Sequence, residues 1–146
     1  MEQLIRSLGN LVYLDANIVV YAVEGYPALR EQVCALLEAM DKRMLSAVTS
    51  ELTLAEVLVK PMIDGNTPVE RAYRTFLEPS GALRLLPVSQ AVLIEAARLR
   101  ARTGLKLPDA IHMATAAGAG CTSFLTNDRG LCASDRVPVR LLQQLA

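Results

Sequence analysis

Tryptophan is absent from the 146 residues, phenylalanine occurs twice, tyrosine four times and histidine once. Tyr13, Tyr21, Tyr26 and Tyr73 are too few and too scattered to form a platform on which unpaired bases stack. His112 stands alone, which excludes any mechanism that needs a histidine pair within one chain. Neither sign of charge is in excess: Lys plus Arg and Asp plus Glu each number 15. No global basic field therefore announces a polyanionic partner. Lysine itself is scarce, with only Lys42, Lys60 and Lys106 among those cations. The arginine bias suits planar, bidentate contacts at particular places. Cys34, Cys121 and Cys132 include no CxxC pair, and an odd count argues against a disulfide framework or a structural zinc site. They are expected to be reduced, mostly buried thiols. Residues 1–10 lack the basic start, apolar run and small-residue cleavage site of a secretory signal. No uninterrupted apolar stretch reaches the roughly 18 residues that cross a bilayer. The expectation is a cytoplasmic protein with no membrane association.

Apolar residues are plentiful, at 52%, and the length suits a single domain spanning 1–146. Leu11-Val12-Tyr13-Leu14 is a short apolar run ending abruptly at Asp15-Ala16-Asn17, and it reads as a fully buried strand. A helix is expected after Pro27, from Ala28 to Met40, where Leu29, Val33, Leu36, Leu37 and Met40 recur at helical spacing. A short strand over Met44–Ser46 follows. Ser50 or Thr49 can then cap a helix carrying Leu52, Leu54, Glu56, Val57 and Leu58, which Pro61 should stop. Gly65-Asn66-Thr67-Pro68 is a turn, with Thr67 as cap of a helix from Val69 to about Leu77. A strand is expected after Gly81, from Arg84 to Val88, interrupted by Pro87. Ser89 caps the next helix, which ends at Gly104, and Pro108 opens another that begins at Asp109 and reaches about Ala117. The strand Ser123–Thr126, the turn Asn127-Asp128-Arg129-Gly130 and an edge strand over Val137–Leu141 complete the pattern. Strands alternating with helices imply an α/β fold, a parallel sheet covered on both faces.

In open parallel sheets ligands bind beyond the carboxyl ends of the strands. Asp15 follows the first strand and Asp128 follows the strand ending at Thr126, so both belong at that rim. Asp109 opens a helix, and a helix leaving the rim puts it there too. Glu56 lies near the start of its helix beside apolar Ala55, Val57 and Leu58. Each acid taken singly also reads as a cap, a turn residue or a solvated helix position. Converged, they cannot stay ionised unaided, because two like charges about 4 Å apart repel by roughly 4 kcal/mol at an effective dielectric of about 20. A hard divalent cation removes that penalty, and oxygen-only ligands favour Mg²⁺ or Mn²⁺ over zinc. Such a centre can direct water at a phosphodiester.

The wording around these acids resembles a known family. Leu14-Asp15-Ala16-Asn17-Ile18-Val19-Val20-Tyr21 is similar to the opening motif of PIN domains, and Ser50-Glu51-Leu52-Thr53-Leu54-Ala55-Glu56-Val57 to the helix that carries the family's acidic Glu. Leu107-Pro108-Asp109-Ala110-Ile111-His112-Met113-Ala114 resembles the third motif and Phe124-Leu125-Thr126-Asn127-Asp128 the fourth. They come in the family's order and span nearly the whole chain. The resemblance implies a three-layer α/β/α sandwich and a Mg²⁺- or Mn²⁺-dependent endoribonuclease acting on single-stranded RNA. Asp15, Glu56, Asp109 and Asp128 take the four acidic positions as metal ligands and catalytic groups, with Asn17 and Ser50 as supporting polar residues. Size and motif wording are most like the VapC-type toxins of toxin–antitoxin pairs, which implies a homodimer silenced by an antitoxin protein. Ala16 departs from the family, which often has Thr or Ser there.

Among the other polar residues, His112 reads as a packed helix residue with a satisfied ring rather than a general base. Arg98, Arg100, Arg102 and Lys106 read as solvated charges before phosphate contacts, and Arg129, beside Asp128, is the better phosphate candidate. Three other functions compete. A haloacid-dehalogenase-like phosphatase also begins with Asp after the first strand, but needs a second Asp where Asn17 stands. A receiver-type phosphoacceptor needs an acidic pair and a late Lys that are not evident. A non-catalytic PIN-like interaction module predicts missing acids, and all four are present.

Overall fold

The computed structural model describes residues 1–80, 82–131 and 136–145. Strands β1 (Leu11–Leu14), β2 (Ser46–Ser50), β3 (Leu83–Leu86), β4 (Ser123–Thr126) and β5 (Val139–Leu141) form one sheet in the order β3-β2-β1-β4-β5. Every pairing is parallel. α1 (Glu2–Arg6) precedes β1, and between the strands run α2 (Ala16–Glu24), α3 (Arg30–Asp41), α4 (Glu51–Asp64), α5 (Thr67–Phe76), α6 (Gln90–Thr103) and α7 (Leu107–Gly118).

Alternation along the strands divides the core in two. Val12, Leu14, Ala47 and Leu125 pack with Ile18, Val33, Leu36, Met40, Val57 and Tyr73 from α2 to α5. Tyr13, Val48 and Phe124 point the other way and pack with Ala96 and Leu99 of α6 and Ala110, Ile111 and Met113 of α7. The central strands are therefore apolar on both faces, as the sequence suggests, and the layers are α/β/α.

The chain leaves β1 toward β2 and β3, then crosses back to place β4 on the other side of β1. The strand order thus reverses between β1 and β4, and the crevice such a reversal opens lies just past their carboxyl ends. Asp15 is the residue after β1, and its N–H bonds to Leu125 O at 3.0 Å. Asp128 lies two residues beyond β4.

Several local expectations change. Ala16–Glu24 is helical although its Ile-Val-Val run favours strands, because Ile18 and Val19 are buried against the sheet and Asp15 caps the first turn. The short strand near Met44 is instead Ser46–Ser50, paired with β1 on one side and β3 on the other. Pro61 does not stop α4: the helix continues to Asp64 and ends at left-handed Gly65, where the Pro61 carbonyl accepts the Asn66 N–H at 2.8 Å. Asn66, not Thr67, caps α5, its Oδ1 accepting from Val69 N–H at 3.3 Å. The third strand ends at Leu86, before Pro87. Ser50 and Ser89 cap α4 and α6 as expected. Cys121 is buried but Cys34 is exposed on α3, since it falls on that helix's outer face; Cys132 lies outside the described residues. No described helix is long and apolar enough to cross a membrane.

Candidate functional site

Asp15 is nearly closed off from solvent, 6% exposed. As N-cap of α2 it accepts from Ala16 N–H through Oδ1 at 2.9 Å. Its Oδ2 accepts the Thr126 hydroxyl at 2.7 Å and Asn17 Nδ2 at 3.4 Å. Thr126 Oγ1 in turn accepts from Asn17 Nδ2 at 3.2 Å and from Asp128 N–H at 3.0 Å. Asn17 Oδ1 accepts from Asn127 N–H at 3.2 Å. The strand ends of β1 and β4 are thereby sewn together, and Asn17 is a working member of that seam. Asp128 is exposed, with Oδ1 accepting from Gly130 N–H at 2.8 Å in a tight turn.

Two further acids arrive on helices. Asp109 sits in the first turn of α7, half-buried, with no hydrogen bond to its carboxylate among the described residues. Glu56 sits on α4 with 33% of its side chain exposed, and its Oε1 lies 2.5 Å from His112 Nε2. Ser50 aims α4 by capping it at Leu52 N–H, 3.0 Å away, and is itself fully buried.

The carboxylates sense one another. Burial pushes the Asp109 carboxyl above the ordinary value of 3.8, and the charges of Asp15 and Asp128 push it further, with Glu56 adding and His112 opposing. Burial likewise raises Asp15 above 3.8, against the Thr126 hydrogen bond and the His112 charge, which lower it. Among the described residues none of Asp15, Asp109 and Asp128 pairs with Lys or Arg. As the side chains stand, no three described His, Cys, Asp or Glu groups close on a common point fit for a metal ion. The donor set nevertheless suits a hard divalent cation, being all oxygen and mutually repulsive. Among the described residues no hydrogen bond holds the Asp109 carboxylate or Glu56 Oε2, while Glu56 Oε1 is held by His112.

Thr126 and Tyr13 escaped the sequence reading. A hydroxyl ending a strand two residues before an acid was the available signal for Thr126. His112 is a packed ring with both nitrogens satisfied, as expected, but one partner is an acid of the cluster. Of the basic candidates, Arg98 pairs with Glu95 and Arg100 donates to Leu105 O at 2.9 Å, while Arg129 lies against the Gln143 amide, whose oxygen accepts from it at 2.8 Å once the amide is turned. The acids do not line the groove of about 370 Å³ bounded by Tyr21, Tyr26, Pro27, Val33 and Leu37. They stand on the rim.

Comparison with solved structures finds the same fold in several toxin–antitoxin proteins. A toxin–antitoxin complex from Klebsiella pneumoniae superposes with a TM-score of 0.66 at 24% identity, covering 90% of this chain and 97% of the other. VapBC2 from Rickettsia felis, bound to a DNA fragment from its promoter, gives 0.70 at 18% identity, covering 90% and 98%. VapC20 from Mycobacterium tuberculosis, a sarcin-ricin loop cleaving toxin, gives 0.68 at 16% identity, covering 88% and 98%. A comparison with curated protein sequences found no match. The sequence matches the PIN domain over residues 12–137, and the chain belongs to the PIN-domain family.

Proposed function

We propose that the chain is a Mg²⁺- or Mn²⁺-dependent endoribonuclease, hydrolysing RNA phosphodiester bonds as the toxin of a toxin–antitoxin pair. The observation that carries this reading is the seam at the carboxyl ends of β1 and β4, where Thr126 Oγ1 donates to Asp15 and accepts from Asp128 N–H, with Asp109 near enough for both acids to raise it. Asp15, Glu56, Asp109 and Asp128 would hold the cation. Bound there, it supplies neutralisation of charge on the phosphodiester oxygens and makes water acidic enough to attack near neutral pH. The chain's own part is to keep Asp15 fixed through Thr126 and Asn17, and Glu56 Oε1 through His112, while Asp109 adjusts. The phosphatase alternative loses its acid, since Asn17 is an amide engaged with Asp15 and Asn127.

The proposal treats residues 1–146 as one unit, cytoplasmic, with an antitoxin protein and a second copy as partners. Similar folds occur in toxin–antitoxin complexes. Val59, Met62 and Ile63 at the end of α4 are 54%, 50% and 78% exposed, apolar surface that suits an assembly. The activity is tested by incubating the purified chain, free of any antitoxin, with structured RNAs that include a sarcin-ricin stem-loop, in Mg²⁺, Mn²⁺ or EDTA. Cleavage should stop with EDTA and in Asp15→Asn and Asp109→Asn. Cleavage that ignores chelator and both substitutions comes from a contaminant and overturns the reading, as does release of phosphate from monoesters instead.

A further inference from the structure

His112 is 1% exposed and Tyr13 is fully buried, yet both carry polar atoms. Buried polar atoms are costly unless each finds a partner. Here they find each other and the site. Tyr13 Oη lies 2.5 Å from His112 Nδ1, and His112 Nε2 lies 2.5 Å from Glu56 Oε1. The residues are far apart in the chain, joined from β1 through α7 to α4.

Hydrogen-bond logic assigns the protons. An ionised Glu56 only accepts, so Nε2 must donate to it. Nε2 donates whether the ring is neutral or charged; in the neutral ring Nδ1 accepts from the Tyr13 hydroxyl, and in the charged ring it donates to that oxygen. The ring itself cannot swing: it meets Tyr13 edge-on, with centroids 5.7 Å apart and planes at 67°, and Tyr13 stacks on Phe124 at 4.9 Å. Glu56, by contrast, is a long side chain on a helix surface, one third open to solvent. Ordering such a side chain costs rotamer freedom, which a fixed donor offsets in advance.

We propose that His112, locked by Tyr13 and Phe124, is a positioning residue for Glu56, fixing Oε1 through Nε2–H so that Oε2 is the oxygen left to the acidic cluster. This rests on the nuclease reading above for its consequence, though not for its geometry. Outer partners of this kind change metal affinity by about 10–100-fold when removed.

Three variants test it. His112→Leu removes the donor at similar bulk, His112→Gln returns an N–H near the Nε2 position, and Tyr13→Phe removes only the hydroxyl that selects the tautomer. Mn²⁺ affinity is measured by calorimetry, and kcat and KM on a fluorogenic RNA. His112→Leu should weaken Mn²⁺ binding about 10–100-fold and lower kcat with little change in KM, and His112→Gln should restore most of both. Tyr13→Phe should fall between. A His112→Leu protein that melts lower but binds Mn²⁺ and turns over like the parent overturns the proposal, leaving only a tie between helices. Should His112→Leu not fold, the other two variants decide.

The ring proton is read separately, by ¹⁵N-histidine NMR at pH 7.5. A proton on Nε2, with or without a second on Nδ1, supports the assignment; a proton on Nδ1 alone overturns it. A parent that neither binds Mn²⁺ nor cleaves RNA overturns the nuclease reading instead, and the ring spectrum then judges the positioning of Glu56 alone.

Discussion

At the scale of single residues, Asp109 shows how a site can oppose its own fold. Its carboxyl is raised above 3.8 by burial first and then by its acidic neighbours. A group whose folded value is raised contributes stability below its unfolded value and loses that contribution as pH climbs through the folded one. At neutral pH the ionised Asp109 is therefore a liability to the chain without cation. Asp109→Asn, neutral and of the same shape, should melt a few degrees higher than the parent in EDTA while cleaving RNA about 100-fold more slowly, the size of losing one organised charge contact. Calorimetric melting beside the cleavage assay checks both halves, and a lower melting temperature would show that Asp109 is stabilised by something other than this field. Asp15, Asp109 and Asp128 were legible in the sequence because strand ends and helix starts are marked by local signals. The Tyr13–His112–Glu56 chain was not, because nothing local records a contact across 99 residues.

Among elements, the loop into β1 has the tightest constraint. Gly9 adopts φ +85°, and a Cβ there would sit 2.4 Å from Thr122 Oγ1. Thr122 cannot yield easily, since its hydroxyl donates to Leu8 O and Leu11 O, both at 2.8 Å, just before β4. Gly9→Ala thus combines a left-handed backbone, costing about 1–2 kcal/mol, with a steric conflict, and should lose about 2–3 kcal/mol. Urea titration should show a lower midpoint at unchanged slope. A midpoint equal to the parent's would mean that the loop has another conformation available. The same scale explains what sequence reading lost. In α2, Ile18, Val19 and Val20 favour a strand by propensity, and only burial against the sheet makes them helical, although Asp15 as a cap was the visible clue. In α4, Pro61 removes one donor but its carbonyl still finds Asn66 N–H, so the expected stop becomes one more turn.

For the whole molecule, strand order matters more than any one element. The α/β class was readable because parallel strands buried on both sides appear as unbroken apolar runs; the placement of β4 beside β1, which makes the crevice, has no local mark and follows only from packing. That placement brings Asp15 and Asp109 into one field, and both are raised above 3.8. Their contribution to stability is complete below that value and fades as pH rises through their folded values, so without divalent cation the melting temperature should decline from weakly acidic toward neutral pH on their account. A cation binds the ionised forms and stabilises the chain in proportion to how far its concentration exceeds its dissociation constant. The gain in melting temperature from millimolar Mn²⁺ should therefore be smallest in acid and grow toward neutral pH, following the fraction of these carboxyls that is ionised. Asp15→Asn combined with Asp109→Asn should flatten the decline and remove most of the gain. Thermal melting across that pH range, with Mn²⁺ and with EDTA, separates the cases: a gain that ignores pH, or survives in the double variant, would mean that the cation acts away from the crevice between β1 and β4.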